Sequence, residues 1–117
     1  MRREEDSLHI HAVHFLKLVC PALLFFHAPN GGSRDVREAA KLKAMGVRPG
    51  VADLAIVGDE GRLHFIEFKA LKGRQSPAQK QFQEDCAKRN IPYAIVRSLN
   101  EFEATLRRWG IQFRGRE

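Results

Sequence analysis

The chain has 117 residues, 44% of them hydrophobic and 29% charged, a balance that fits one soluble globular domain and excludes a disordered or low-complexity segment. No apolar stretch approaches the roughly 20 residues of a membrane-spanning helix, and the acidic, then His-rich, start matches no targeting leader. The net charge of +6 favours a polyanionic partner.

Residues 5–19 carry helical periodicity, with Leu8, Ala12, Phe15 and Val19 on one side and Ile10, Val13 and Leu16 beside them. Pro21 ends that helix. Leu23–His27 reads as a short strand, and Pro29-Asn30-Gly31-Gly32-Ser33 as a turn cluster. Residues 34–45 predict a polar, basic helix closed by Gly46. Two apolar runs joined by Asp59-Glu60-Gly61 follow, a hairpin over about 51–70. Ser76-Pro77-Ala78-Gln79 starts a helix that reaches about Arg89, with Ser76 as N-cap and Gln79 as its capping-box partner. Pro92–Val96 reads as a strand. Ser98 and Glu101 repeat the capping-box pattern before a helix with Phe102, Leu106 and Trp109 on one face. Met45, Phe82 and the Trp109 face read as core. Cys20 and Cys86 lack metal or redox spacing and read as reduced core thiols of a cytoplasmic protein. The order α-β-α-β-β-α-β-α predicts a single α/β domain over residues 1–117, with a mixed sheet flanked by helices. That sheet contains an antiparallel hairpin and a final strand reached by a helical crossover.

The hairpin concentrates the chemistry. Strand side chains alternate faces, so Glu67 and Lys69 share a face with Leu63 and Phe65, while Ile66, Phe68 and Ala70 line the other. Both faces are apolar, which marks a central, buried strand. Charges there are costly unless paired. A three-residue turn with Gly61 in the left-handed conformation sets Gly58 opposite Arg62. In that register Asp53 faces Glu67. Like charges directly opposite destabilise a sheet, and a hard divalent cation between two carboxylates turns that cost into a site. An ion pair of Lys69 with Asp53 or Glu67 is the alternative, and a one-residue slip in the turn would undo the facing pair. Residue types alone leave both readings open.

An aspartate, a hairpin and Glu-x-Lys on a central strand resemble the signature of the PD-(D/E)xK, restriction-endonuclease-like nucleases. Four ordered segments narrow the resemblance to the VRR-NUC domain, a small nuclease module found alone in phages and bacteria. They are His27-Ala28-Pro29-Asn30-Gly31-Gly32, then Leu42–Leu54 with its Gly50-Val51-Ala52-Asp53 block, then Ile66-Glu67-Phe68-Lys69, then Ser76-Pro77-Ala78-Gln79. Two positions depart from the family pattern: Ala52 stands where a proline is usual, and His9 where a glutamine is common.

The resemblance implies a metal-dependent DNA endonuclease acting on Holliday junctions or other branched DNA, in a bacterial cell or a phage-infected host. Asp53, Glu67 and the main-chain carbonyl of Phe68 would hold Mg²⁺, with Mn²⁺ able to substitute. Lys69 would orient the attacking water or stabilise charge on the phosphate. Glu5 matches an additional acid and Gln79 a helix residue near the site. The Asn30-Gly31 loop would approach a phosphate, and Arg34, Lys43, Arg48, Lys72 and Arg74 would contact the DNA backbone. A domain this small carries one active site, so symmetric cutting of two strands implies a homodimer.

Plainer readings stand beside these. Glu4, Glu5 and Asp6 all favour a helix N-terminus through its dipole, Gln79 is explained by capping alone, and the five histidines read as solvated or packed. A catalytically idle or partner-dependent nucleic-acid-binding module on the same fold is the alternative function.

Overall fold

A computed structural model of the chain describes residues 2–29 and 35–114, with the backbone alone at Arg2. The first helix, α1 (Arg2–Val19), starts with acids in its first turn and ends two residues before Pro21. Strand β1 (Leu24–His27) follows, then helix α2 (Val36–Ala44), whose N-cap Asp35 accepts from the Arg37 amide. The hairpin comprises β2 (Leu54–Val57) and β3 (Leu63–Phe68). Helix α3 (Pro77–Lys88) carries the full Ser76–Gln79 capping box, so both end amides are satisfied as the sequence predicts. Strand β4 (Tyr93–Val96) and helix α4 (Leu99–Arg108) complete the chain. At α4 the box is only half closed. Ser98 accepts from the Glu101 amide, while the Glu101 carboxylate reaches past Ser98 to the Arg97 amide at 2.6 Å.

The sheet order is β1-β2-β3-β4, with the first three strands antiparallel and β4 parallel to β3. This is the mixed sheet expected, with β2 and β3 inside it. The pairing of Leu54 with Ile66 and of Val57 with Leu63 is the register that puts Asp53 across from Glu67. The turn differs from expectation in one respect: Glu60, as well as Gly61, takes a positive φ (59° and 75°).

One sheet face packs against α1 and α4. Its core joins Leu54, Ile56, Ile66, Phe68 and Val96 to Ala12 and Leu16 of α1 and Phe102 and Leu106 of α4. The other face meets α3, where Phe82 lies edge-on to Phe65 with ring centres 5.0 Å apart. Cys20 and Cys86 are buried, unpaired thiols. Met45 is not core: it is 71% exposed, because α2 buries none of its residues. Ile10 likewise points outward from α1. Among the described residues no helix is long and apolar enough to cross a membrane.

Candidate active site

The site forms where β2 begins and β3 ends. Strand phase aims Glu67 and Lys69 at the α3 side, as the period-2 reading requires. Both are nearly sequestered from solvent, at 1% and 6% exposure. The Lys69 Nζ stands 3.6 Å from Glu67 Oε2. Gln79 joins them. Its Nε2 donates to Glu67 Oε2 at 2.9 Å, and its Oε1 accepts from Lys69 Nζ at 2.8 Å. The same Oε1 accepts from the Ser76 amide at 2.8 Å. Capping and site organisation are therefore one arrangement: the residue that closes the helix end also fixes the acid and the ammonium.

Asp53 enters from the strand opposite. Its Oδ2 accepts from the Phe68 amide at 2.8 Å. Glycine at position 50 makes this approach possible. Gly50 has φ of +82°, and a side chain there would lie 2.4 Å from the Ala78 backbone of α3. The segment leading to Asp53 thus runs directly against the start of α3.

The electrostatics are those of two acids forced together. Burial, then the charge of Asp53, push the Glu67 carboxyl up to about 8, against the pull of Lys69. Burial raises Asp53 as well, opposed by the Phe68 amide and by His9, His27 and Lys69. Glu67 Oε1 is buried and has no hydrogen-bond partner among the described residues, a costly state for a polar atom. The Asp53 and Glu67 carboxyls offer only oxygen donors, the kind that suits a hard divalent cation, although the described residues hold no cluster of three or more acid, His or Cys side chains. The orphaned oxygen fits such a group.

Glu5 reaches the site from α1. Its Oε2 accepts from the Ala70 amide at 3.4 Å, and its charge adds to the upward push on Glu67. Lys72 and Arg74 are exposed on the loop that follows. Arg48 has a structural engagement, pairing with Asp85 of α3 at 2.5 Å and lying 5.3 Å over the Phe82 ring. Lys43 is exposed on α2. Asn30, Gly31 and Arg34 lie outside the described residues.

Three neighbours were given no site role from the sequence, although His27 opens a family segment and His9 marks a departure from the family pattern. His27 Nδ1 lies 2.5 Å from the main-chain oxygen of Asp53. That oxygen can only accept, so the ring proton is on Nδ1. His9 packs between His27 (4.7 Å) and Phe68 (4.8 Å), and burial lowers its pKa. Its place one turn after Glu5 was the available signal. Arg97, just beyond β4, donates to three carbonyls of the turn after β3; nothing in its sequence context marks it.

Comparison with known proteins agrees with this geometry. The VRR-NUC domain family matches residues 8–100. A solved structure described as a VRR_NUC domain protein superposes with a TM-score of 0.71 at 24% identity, covering 91% of this chain and 87% of that one. A second, described as a VRR_NUC domain, gives a TM-score of 0.64 at 19% identity, covering 91% and 97%. No curated protein is a significant match. The family match over most of the chain, on a restriction-endonuclease-like fold that brings Asp53, Glu67 and Lys69 together, makes this chain a member of the VRR-NUC family of nuclease-type domains.

Proposed function

We propose that the protein is a Mg²⁺-dependent endodeoxyribonuclease, with Mn²⁺ able to substitute, that hydrolyses phosphodiester bonds in branched DNA such as a Holliday junction. The observation that carries this reading is the buried Glu67 carboxyl, held by Gln79 on one oxygen and without a partner among the described residues on the other, on the strand next to Asp53. A divalent ion held by Asp53, Glu67 and the Phe68 carbonyl would polarise the scissile phosphate and make a water more acidic. Lys69, steadied by Gln79, supplies a fixed positive charge where charge grows on the phosphate. Glu5 adds a third acid at the rim. Lys72 and Arg74 supply phosphate contacts that orient the DNA.

Branched substrates and paired cuts go with two copies of the chain. Leu24 and Phe26 on the outer strand β1 are 63% and 52% exposed, apolar surface that supports association. The homodimer is tested by sedimentation of the parent beside Phe26→Glu, which is expected to shift toward monomer.

The activity test is a panel of single-stranded, duplex, flap and four-way DNA incubated with pure protein and Mg²⁺. Cleavage of a branched member, lost in Glu67→Ala and Lys69→Ala, is the expected result. If those variants cut as well as the parent, the assigned site is wrong. Salt-sensitive binding with no metal-dependent turnover would favour the idle binding module instead.

A further inference from the structure

The backbone of the turn leaving β3 is bound by side chains from two distant segments. It closes with the Gly73 amide on the Ala70 carbonyl at 2.9 Å. The Nη1 of Arg97 then donates to the carbonyls of Ala70 (2.7 Å), Leu71 (3.2 Å) and Gly73 (2.9 Å). On the other side Glu5 accepts from the Ala70 amide. Gly73 is packed so close that a Cβ there would lie 3.2 Å from the Glu5 carboxylate. Side chains from α1 and from the end of β4 thus clamp four residues from two directions. Three carbonyls converging on one guanidinium nitrogen fix a backbone shape, not a hydrophobic contact.

This braced turn displays Leu71 and Lys72. Leu71 is 79% exposed, among the most exposed large apolar side chains of the chain. A single exposed leucine is ordinary on a protein surface; a rigid mount for it is not. Leu71 follows Lys69 by two positions, so the two Cα atoms lie within about 7 Å. Lys72 and Arg74, both exposed, flank it with positive charge. An apolar tip with basic neighbours is the arrangement by which DNA-deforming proteins push a side chain between base steps while gripping the backbone.

We propose that Leu71 is a wedge that unstacks a base step beside the cleaved phosphate, and that Arg97 is the positioning residue that holds it there. The proposal rests on the nuclease reading of the adjacent site and adds to it the means of selecting DNA that opens readily. A base step at a branch point is already partly unstacked, so the wedge discriminates in its favour over continuous duplex.

The test uses the full chain with a four-way junction and a matched duplex, each carrying 2-aminopurine at steps around the centre, in EDTA so that nothing is cut. The parent is expected to bind and raise 2-aminopurine emission by about threefold at one or two junction steps. Leu71→Ala should keep its affinity within about tenfold and lose the rise, while Leu71→Met keeps it. Arg97→Lys should behave as Leu71→Ala with its thermal unfolding still cooperative, since one ammonium cannot reproduce the planar fork. An unchanged rise in Leu71→Ala overturns the wedge, as does no rise with the bound parent. Loss of self-association in Leu71→Ala, with emission unaffected, also overturns it and assigns the residue to a contact between copies. A parent that binds and unstacks DNA but cuts nothing with Mg²⁺ would sink the nuclease reading and leave the wedge standing.

Discussion

Where β3 ends, both of its faces are buried, and they carry opposite chemistry. On one, Ile66 and Phe68 are 0% exposed and pack into the α1–α4 core. On the other, Glu67 and Lys69 are 1% and 6% exposed and bring a carboxyl and an ammonium into the interior, near a second acid, Asp53. Burial of the first pair contributes roughly 1.5–3 kcal/mol per side chain. Burial of the second costs desolvation that one ion pair at 3.6 Å does not reliably offset. Under the proposed nuclease reading, that cost is kept for chemistry. The difference between the faces separates what holds the protein together from what lets it act.

The sharpest way to break that comparison is to swap which property each face loses. Glu67→Gln preserves shape and removes the charge; cleavage should fall by about 10³-fold, with a melting temperature equal to or above the parent's at pH 8. Ile66→Ala should do the reverse, costing about 2–5 kcal/mol of stability, read by denaturant unfolding, with near-parental turnover in the cold. If both variants lose stability and activity together, the two faces are not functionally distinct.

Acid–base behaviour separates them further. Glu67 ionises near 4.5 when unconstrained and near 8 in the folded, metal-free protein. Between those values the folded state holds a proton that the unfolded chain has released, so stability falls as pH rises. Melting in EDTA should therefore drop from pH 5 to pH 8 more steeply for the parent than for Glu67→Gln. Equal slopes would remove the strained carboxylate from the account.

Gln79 should give the smallest effect. Gln79→Ala opens the capping box and frees Lys69, with an expected loss of about 1 kcal/mol and a fall in turnover of about tenfold. Gln79→Glu restores the cap acceptor but sets a carboxylate beside Glu67 in place of a donor, so it should recover only part of the stability and none of the activity. Recovery of both would reduce Gln79 to a helix cap.

Much of this was legible because it is local or periodic. The period of two placed Glu67 and Lys69 on one face, and the length of the Asp59–Gly61 turn set the register that brings Asp53 across from Glu67. Ser76-Pro77-Ala78-Gln79 announced its helix start through short-range hydrogen bonding. Two readings of Gln79, cap and site residue, were alternatives in the sequence and are one arrangement in space. What stayed hidden depends on contacts between distant segments. His27 meets the Asp53 carbonyl across 26 positions and Arg97 meets the Ala70 carbonyl across 27; the His27 segment was visible but not its partner, and Arg97 carries no local pattern. Met45 failed for the same reason: its apolar character was visible, but not that α2 has no buried face. The pairing of Arg48 with Asp85 and its place over the Phe82 ring were hidden in the same way.

The central claim is that Asp53 and Glu67 are drawn together to hold a cation. Soaking crystals in Mn²⁺ and collecting anomalous diffraction tests it most directly. The expected result is one ion between the Asp53 and Glu67 carboxylates, occupying the open Glu67 oxygen, with Lys69 still held by Gln79. A map with no ion there, and the Lys69 ammonium bridging both acids, would contradict it.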